Sequence, residues 1–257
     1  MNSRDSKLRD NPVHGDHAAA LPCRMVGRAA LHEFYAATEA DAGPTIGAML
    51  AFAEGRSPQP LLWVRQDFVS RERGTPYPPG LREFGLDPAR IIFVQGRDAA
   101  SVLQAGLEGA RCAALAAVLV ELWGTVRALD LTASRRLALA ARASGTPVLM
   151  ARIAAEPCAS AAETRWHVRA APSRALAANA PGPPAVTLDL LRHRGGALPD
   201  LWHLEWNRDS RSFDARSLDD RAAGPDARPA PLHGAVVPAP GDRPAVPGDG
   251  GAQRQAG

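Results

Sequence analysis

Lysine, cysteine and aromatic residues are scarce in this chain of 257 residues. The only lysine is Lys7, and aromatic residues make up 5% of the sequence. Phosphate-binding loops use a lysine to reach the β- and γ-phosphates of a nucleotide, so the lack of lysine argues against a conventional triphosphate site. The three cysteines, Cys23, Cys112 and Cys158, are far apart and offer neither a disulfide framework nor a CxxC metal motif.

Long apolar runs are also lacking. No segment approaches the length of a membrane span, and the polar N-terminal residues do not resemble a secretory signal peptide. The formal net charge of +3 and the pI of about 9.1 are a mild basic bias rather than the footprint of a nucleic-acid-binding protein. These features predict a cytoplasmic protein without membrane contact and with at most weak DNA contact.

What the sequence does contain is enough apolar material for one core. Hydrophobic residues make up 46% of the chain, and they are concentrated in its middle. We expect a disordered leader over residues 1–28, one domain over 29–213, and a disordered tail over 214–257. The tail is rich in Pro, Gly, Ala, Asp and Arg, and it has too few large apolar side chains to offset the entropy cost of ordering.

The first part of the domain alternates apolar runs with helical patterns. Each run is short and rich in Val, Ile or Leu, which is typical of strands buried on both faces of a sheet. This alternation predicts an α/β fold with a mainly parallel central sheet flanked by helices. The predicted strands are Leu31–Ala36, Leu61–Val64, Ile91–Val94, Val118–Gly124 and Pro147–Ile153.

After the fifth strand the helical spacers disappear. Trp166–Arg169, Val186–Leu190 and Leu201–Trp206 read as strands, and turn residues lie between the last two. They predict an antiparallel C-terminal β extension. Trp202, Leu204 and Trp206 would share one face of it, and this stripe would suit either packing against the sheet or stacking of bases.

Two carboxylates lie near the predicted ends of central strands, where ligands bind in open α/β sheets. Asp67 follows the second strand and Glu121 lies in the Val118–Gly124 segment. A pair of acids on one rim would activate water or hold Mg²⁺. The alternative is that each acid is a solvated or structural residue at the edge of the core.

Arginine is the main source of positive charge. Several arginines stand in pairs where a loop, helix or turn is predicted, including a basic loop over Ser70–Gly80, and they would suit DNA phosphates or a protein partner. Paired arginines are also common on solvated surfaces. The candidates are Arg71, Arg73, Arg135, Arg136, Arg192 and Arg194. The strand histidines, His167, His193 and His203, have no metal-ligand spacing, and no metal site is predicted.

Several short sequence segments, spread along the chain in consistent order, resemble proteins of the RecA fold. They resemble more closely the ImuA family, the RecA-like accessory proteins of bacterial translesion DNA synthesis. The resemblance covers roughly residues 31–213. The segments are Leu31-His32-Glu33-Phe34, Leu61-Leu62-Trp63-Val64, Gly80–Phe93, Val118-Leu119-Val120-Glu121, Thr164-Arg165-Trp166, Ala171-Pro172-Ser173 and Leu204-Glu205-Trp206-Asn207.

The resemblance implies a degenerate nucleotide site. The phosphate loop of RecA corresponds to about Ala36–Thr45, where the Gly-rich run and the Lys-Thr/Ser pair are missing. Glu121 stands near the magnesium-side acid of RecA, and Asp67 near its water-activating acid. Vestigial nucleotide-site residues would therefore be Thr38, Gly43, Thr45, Asp67 and Glu121, with no cofactor bound and no ATPase activity.

The resemblance further implies a non-catalytic adaptor in SOS-induced mutagenesis, located in the cytoplasm at the nucleoid. Its implied partners are ImuB, an error-prone polymerase of the DNA polymerase III alpha type, and RecA. Two alternatives stay open at this point. One is an ATPase with a degenerate phosphate loop, and the other is a cell-division inhibitor similar to SulA, which shares the SOS setting and a RecA-like core.

Overall fold

Helices and strands alternate through the first half of the computed structural model, which describes residues 22, 24–26, 28–53, 58–176, 180–196 and 200–216. The strands are β1 (Leu31–Ala36), β2 (Leu61–Gln66), β3 (Ile91–Gly96), β4 (Ala117–Trp123), β5 (Val148–Ile153), β6 (Thr164–Ala170), β7 (Ala185–His193), β8 (Leu201–Asn207) and β9 (Ser212–Arg216). The α-helices are α1 (Ala42–Ala53), α2 (Asp67–Arg73), α3 (Pro78–Glu83), α4 (Ala99–Ala110) and α5 (Leu131–Ser144). Short 3₁₀ turns cover Glu39–Asp41 and Pro88–Arg90.

All nine strands form one sheet in the order β3-β2-β4-β5-β1-β6-β7-β8-β9. The pairings from β3 to β6 are parallel, and those from β6 to β9 are antiparallel. The predicted fold class, an α/β fold with a mainly parallel sheet and an antiparallel C-terminal extension, is confirmed. One detail differs, because β6 is a parallel neighbour of β1 and the antiparallel pairing begins only with β7.

The core lies in two layers, one on each face of the sheet. Alternate residues of β4 enter both layers, with Leu119 on the α1 side and Val120 on the side of α4 and α5. The predicted stripe on β8 faces the α1 layer, where Trp206 packs 5.1 Å from Phe84 between ring centroids. Its aromatic residues therefore pack against the core, and the base-stacking alternative is not supported.

Capping residues fix where α4 and α5 begin and where α5 ends. The Asp98 carboxylate accepts from the Ser101 amide at 2.7 Å, and the Asp130 carboxylate accepts from the Ala133 amide at 2.7 Å. Gly145 ends α5 with φ of 82°, a left-handed conformation that glycine adopts without strain. These ends place the helices so that their apolar faces cover the sheet.

The predicted basic loop over Ser70–Gly80 is wrong, because helices occupy most of it. α2 continues to Arg73, its turn held by an ion pair between Asp67 and Arg71 and by the buried Val69. Pro78 then begins α3, as expected for a proline in a first helical turn. Only residues 74–77 join the two helices.

The ordered domain is larger at both ends than the predicted range 29–213. Met25 and Val26 are buried in the core layer on the α1 side, although they fall within the predicted leader. β9 runs to Arg216 because Asp214 and Ala215 pair with β8, although both were assigned to the tail. The rest of the leader and the tail lies outside the described residues. Within the described ranges, no helix combines the length and apolarity needed to cross a membrane.

Candidate functional site

Glu121 lies inside β4, two residues before its end, and its carboxylate is almost completely shielded from solvent. Oε2 accepts a hydrogen bond from the Trp63 indole Nε1 at 3.1 Å, and Oε1 accepts from the Trp123 indole Nε1 at 2.7 Å. Both oxygens thus have a fixed N–H donor, as buried polar atoms require. We call Glu121, Trp63, Trp123 and Arg65 the Glu121 cluster.

Arg65 completes this cluster from β2, the strand next to β4. Its Nη1 lies 3.7 Å from Glu121 Oε2, its Nε donates to the Ser70 hydroxyl at 3.1 Å, and Nη2 donates to the Gly74 carbonyl. Burial lowers the pKa of Arg65, and the charge of Glu121 partly offsets this effect. The guanidinium therefore neutralises the buried carboxylate and ties β2 to the end of α2.

Arg73 closes the outer side of the cluster. Its guanidinium lies over the Trp123 ring, 4.9 Å from the centroid, and it forms an ion pair with Glu39 of the 3₁₀ turn after β1. One side chain thus joins α2, β4 and the β1–α1 connection. Aromatic and guanidinium groups of the chain itself therefore enclose Glu121 near the carboxyl end of β4.

The β1–α1 connection, where the resemblance puts the phosphate loop, is tied down by its own polar groups. The Asp41 carboxylate accepts from the Thr38 hydroxyl at 3.1 Å and from the Ala170 amide at 3.0 Å. The Thr45 hydroxyl donates to the Asp41 carbonyl at 2.8 Å. A Cβ on Gly43 would meet nothing within 4 Å, so no close backbone approach requires a glycine there.

Asp67 begins α2 at the carboxyl end of β2 and is only partly buried. Its Oδ2 accepts from Arg71 Nη2 at 2.5 Å, and it shares no bonded partner with the Glu121 cluster. The two acids named from the sequence therefore lie near the same edge of the sheet, at the carboxyl ends of β2 and β4, but they do not form one site. Among the described residues, no group of three His, Cys, Asp or Glu side chains could hold a metal ion.

The chemistry open to Glu121 follows from its donors. Two indole N–H groups and a guanidinium surround the carboxylate with positive electrostatic potential, which opposes a divalent cation. Oxygen ligands are what Mg²⁺ requires, and both oxygens of Glu121 are already engaged. The arrangement favours a structural carboxylate over a catalytic one.

Sequence reasoning missed the partners of Glu121, although a signal for them existed. Trp63 and Arg65 lie two residues apart in β2, and Glu121 and Trp123 lie two apart in β4. Because side chains alternate along a strand, each pair shares a face. The register aligns Arg65 with Glu121, so strand periodicity together with the parallel pairing would have brought the four residues together.

A second buried carboxylate, Glu33 of β1, was not singled out from the sequence. Its Oε2 accepts from the Ser160 hydroxyl at 2.8 Å, from Arg165 Nε at 3.2 Å and from the Tyr35 hydroxyl at 3.3 Å. Its Oε1 and the Nε of Arg152 are buried without a hydrogen-bond partner among the described residues. Burial, with a smaller contribution from the charge of Glu33, raises the pKa of Tyr35.

The six candidate arginines do not form one surface. Arg71 and Arg73 are engaged by Asp67 and Glu39 near the Glu121 cluster. Arg135 and Arg194 line one groove beside α5. Arg136 and Arg192, both exposed, do not line it.

Comparison with known proteins connects this architecture to two groups. No family model matches the chain. The chain is 32% identical over 163 residues to Protein ImuA of Caulobacter vibrioides, in strains NA1000 and ATCC 19089, a match that covers 56% of this chain and 59% of the relative. The resemblance to the ImuA proteins is therefore confirmed over that region, and the match spans less than two thirds of their length.

Among solved structures, the RadB recombinase shares the fold. The TM-score is 0.51 with 16% sequence identity, and the match covers 72% of this chain and 90% of RadB. At that identity the match establishes a RecA-like fold and nothing about activity.

Proposed function

We propose, from the premise that this chain is an ImuA-like protein with a RecA-like fold, that it is a non-catalytic accessory protein of damage-induced, error-prone translesion DNA synthesis. Its proposed partners are ImuB, an error-prone polymerase of the DNA polymerase III alpha type, and RecA. The resemblance supplies this cellular context. The proposed role is to bring partners together rather than to turn over a nucleotide, and the proposed location is the cytoplasm, at the nucleoid.

The observation that carries the non-catalytic part is the state of Glu121. Its two carboxylate oxygens accept from Trp63 and Trp123, and Arg65 supplies the neutralising charge. A magnesium-side acid needs at least one oxygen free to face the metal and its waters. The absence of lysine from every segment but the N-terminus supports the same conclusion, because no lysine is available to neutralise the β- and γ-phosphates.

The β1–α1 connection also supports an adaptor. Backbone amides of a phosphate loop must point at the ligand, whereas here the Asp41 amide donates to the Thr38 carbonyl at 3.3 Å and the Ala42 amide donates to the Glu39 carbonyl. These two backbone N–H groups are already engaged within the connection, so they are not available to bind a phosphate.

The decisive experiment measures damage-induced mutation frequency in cells lacking the gene. We expect deletion to lower this frequency, and both the wild-type chain and Asp67→Asn to restore it fully. Asp67 is the right acid to change because it is partly exposed and, among the described residues, paired only with Arg71, so Asn removes its charge without opening the core. In parallel, titration of the purified chain with ATP should give no saturable signal below about 1 mM.

The outcomes separate the alternatives. Saturable ATP binding together with failure of Asp67→Asn would restore nucleotide chemistry. An unchanged mutation frequency in the deletion strain would refute the translesion role. Filamentous cells on overexpression, without any effect on mutation frequency, would favour division inhibition instead.

A further inference from the structure

We propose that a groove beside α5 binds an acidic, partly apolar segment of a partner protein. The groove, here the α5 groove, has a volume of about 320 Å³ and lies on the α5 side of the sheet, away from the Glu121 cluster. Residues from α5, the β5–β6 connection and the turn after β7 line it. They include Leu131, Arg135, Leu139, Arg142, Ala161 and Arg194.

The apolar part of the groove is exposed rather than buried in the core. Leu131 and Leu139 are 57% and 55% exposed, whereas Leu137 of the same helix is buried. Leu131, Arg135 and Leu139 recur every four residues, so they form one stripe along the outer face of the helix. Single exposed leucines are ordinary, but two that flank the same cavity form an apolar surface suited to a partner.

The charge of the groove is unbalanced. Arg142 pairs with Glu163 at 2.8 Å. Arg135 and Arg194 form no hydrogen bond or ion pair through their side chains with any residue that the structure describes. Of the three guanidinium groups that line the groove, one is paired with a carboxylate and two are available. Arginine binds carboxylates in a bidentate fashion, so the groove is complementary to an anionic ligand.

The combination of the two properties identifies the ligand class. A nucleic acid would satisfy Arg135 and Arg194 with phosphates but would leave the exposed leucines against a polar backbone. A peptide with acidic and apolar side chains satisfies both, in the way that amphipathic segments dock into grooves through apolar anchors. The α5 groove therefore fits an acidic segment with leucine-like anchors. This inference goes beyond the proposed function and does not depend on it.

The test uses the purified full chain and a fluorescein-labelled probe peptide in which Asp and Glu alternate with pairs of Leu. We expect saturable binding by fluorescence anisotropy, with an affinity that weakens as salt is raised. Two matched probes, one with Leu replaced by Ser and one with the acids replaced by their amides, should each bind at least about tenfold more weakly.

Variants locate the binding on the protein. Arg135→Glu, Arg194→Glu and Leu139→Ser should each weaken the probe about tenfold or more. Arg136→Glu, at an exposed position of the same helix but outside the groove, should leave the affinity for the probe unchanged. All four residues are exposed, so we expect each variant to fold, and circular dichroism of each variant checks this.

Three results would overturn the proposal. The first is the absence of saturable binding below about 1 mM. The second is equal binding of the probe in which Leu is replaced by Ser, or of a single-stranded oligonucleotide, which would make the surface a general anion site. The third is an equal effect of Arg136→Glu and Arg135→Glu. Because the assay uses no other protein and no cells, its result is separate from that of the mutagenesis experiment.

Discussion

Glu121 and Glu33 are two buried carboxylates in parallel strands, and they lie on opposite faces of the sheet. Glu121 shares a face with Leu119 in the α1 layer, whereas Glu33 shares a face with Leu31 in the layer of α4 and α5. Glu121 is held mainly by two neutral indole donors. Glu33 is held by a guanidinium and two hydroxyl groups, with one oxygen left unpaired among the described residues.

The difference shows that strand position alone does not assign a role to an acid. Glu121 has the position expected of a nucleotide-site residue, yet its donors make it a joint between β2 and β4. Glu33 does not have the position expected of a nucleotide-site residue, but it forms an ion pair with Arg165. The guanidinium groups of Arg152 and Arg165 also lie over the ring of the neighbouring Tyr35. Arg165 Nε donates to Glu33 at 3.2 Å, whereas Arg65 Nη1 lies 3.7 Å from Glu121. We therefore expect fold stability to depend more on the charge of Glu33 than on that of Glu121.

Replacing Glu33 by leucine should have the largest effect on stability. The substitution leaves the Arg165 side chain, which is only 12% exposed, without its carboxylate and removes the acceptor of Ser160 and Tyr35. Breaking a buried pair from one side costs about 3–5 kcal/mol of unfolding free energy. Urea unfolding measures this loss, and Glu163→Leu, which breaks the more exposed pair with Arg142, is the matched control with an expected loss of about 1 kcal/mol or less. Equal losses would contradict the comparison.

Glu121→Gln should have a smaller effect, about 1–3 kcal/mol, the usual cost of leaving a buried donor unsatisfied. The amide keeps one acceptor for Trp63 or Trp123 but turns an N–H group toward the other indole. Urea unfolding and the near-UV spectrum of the two tryptophans report the change. Asp67→Asn is the control and should cost no more than about 0.5 kcal/mol. A loss for Glu121→Gln as large as that for Glu33→Leu would erase the distinction between the two sites.

The Glu33 site should also make stability depend on alkaline pH. The pKa of Tyr35 is raised in the folded protein, so its contribution is fully present below the unfolded value of about 10 and is lost as pH rises above it. We expect unfolding free energy to fall by about 1 kcal/mol per pH unit above pH 10. Tyr35→Phe should flatten this dependence, whereas Phe at the other tyrosine, the exposed Tyr77, should not. A steep decline that persists in Tyr35→Phe would assign it to other groups.

The sequence pattern predicts much of the fold, because the spacing of apolar residues reflects the period of each helix or strand. It fails where an element is too short to show such a period. The alternation of apolar runs and helical spacing located five of the six strands that pair in parallel, and Asp98 and Gly145 marked helix ends correctly. The prolines and arginines of the Ser70–Gly80 segment are typical of a loop, so the sequence pattern did not reveal the two short helices that reach into it. Their stability comes from the Asp67–Arg71 pair and from the burial of Val69 and Leu81.

The candidate site was less predictable because it depends on contacts between distant segments. Trp63 and Glu121 are 58 residues apart in the sequence, and Glu33 and Arg165 are 132 apart. Only the sheet order, with β2 beside β4 and β1 beside β6, brings them together. Sequence periodicity assigns a residue to a face of a strand, but it does not say which strand is its neighbour. The sequence alone could therefore not decide whether Glu121 is a ligand-binding acid or a structural one.

The smallest expected effect belongs to Arg73, which covers the Glu121 cluster from outside. Arg73→Ala removes the cation–π contact with Trp123 and the ion pair with Glu39, and at this half-exposed position we expect a loss of about 0.5–1 kcal/mol. Arg73→Lys keeps the charge but lacks the planar group that stacks on an indole, so it should recover only part of that loss. Urea unfolding of both variants measures the effect. If Arg73→Ala cost as much as Glu121→Gln, the contacts of Arg73 with Trp123 and Glu39 would stabilise the Glu121 cluster as much as the carboxylate of Glu121 does.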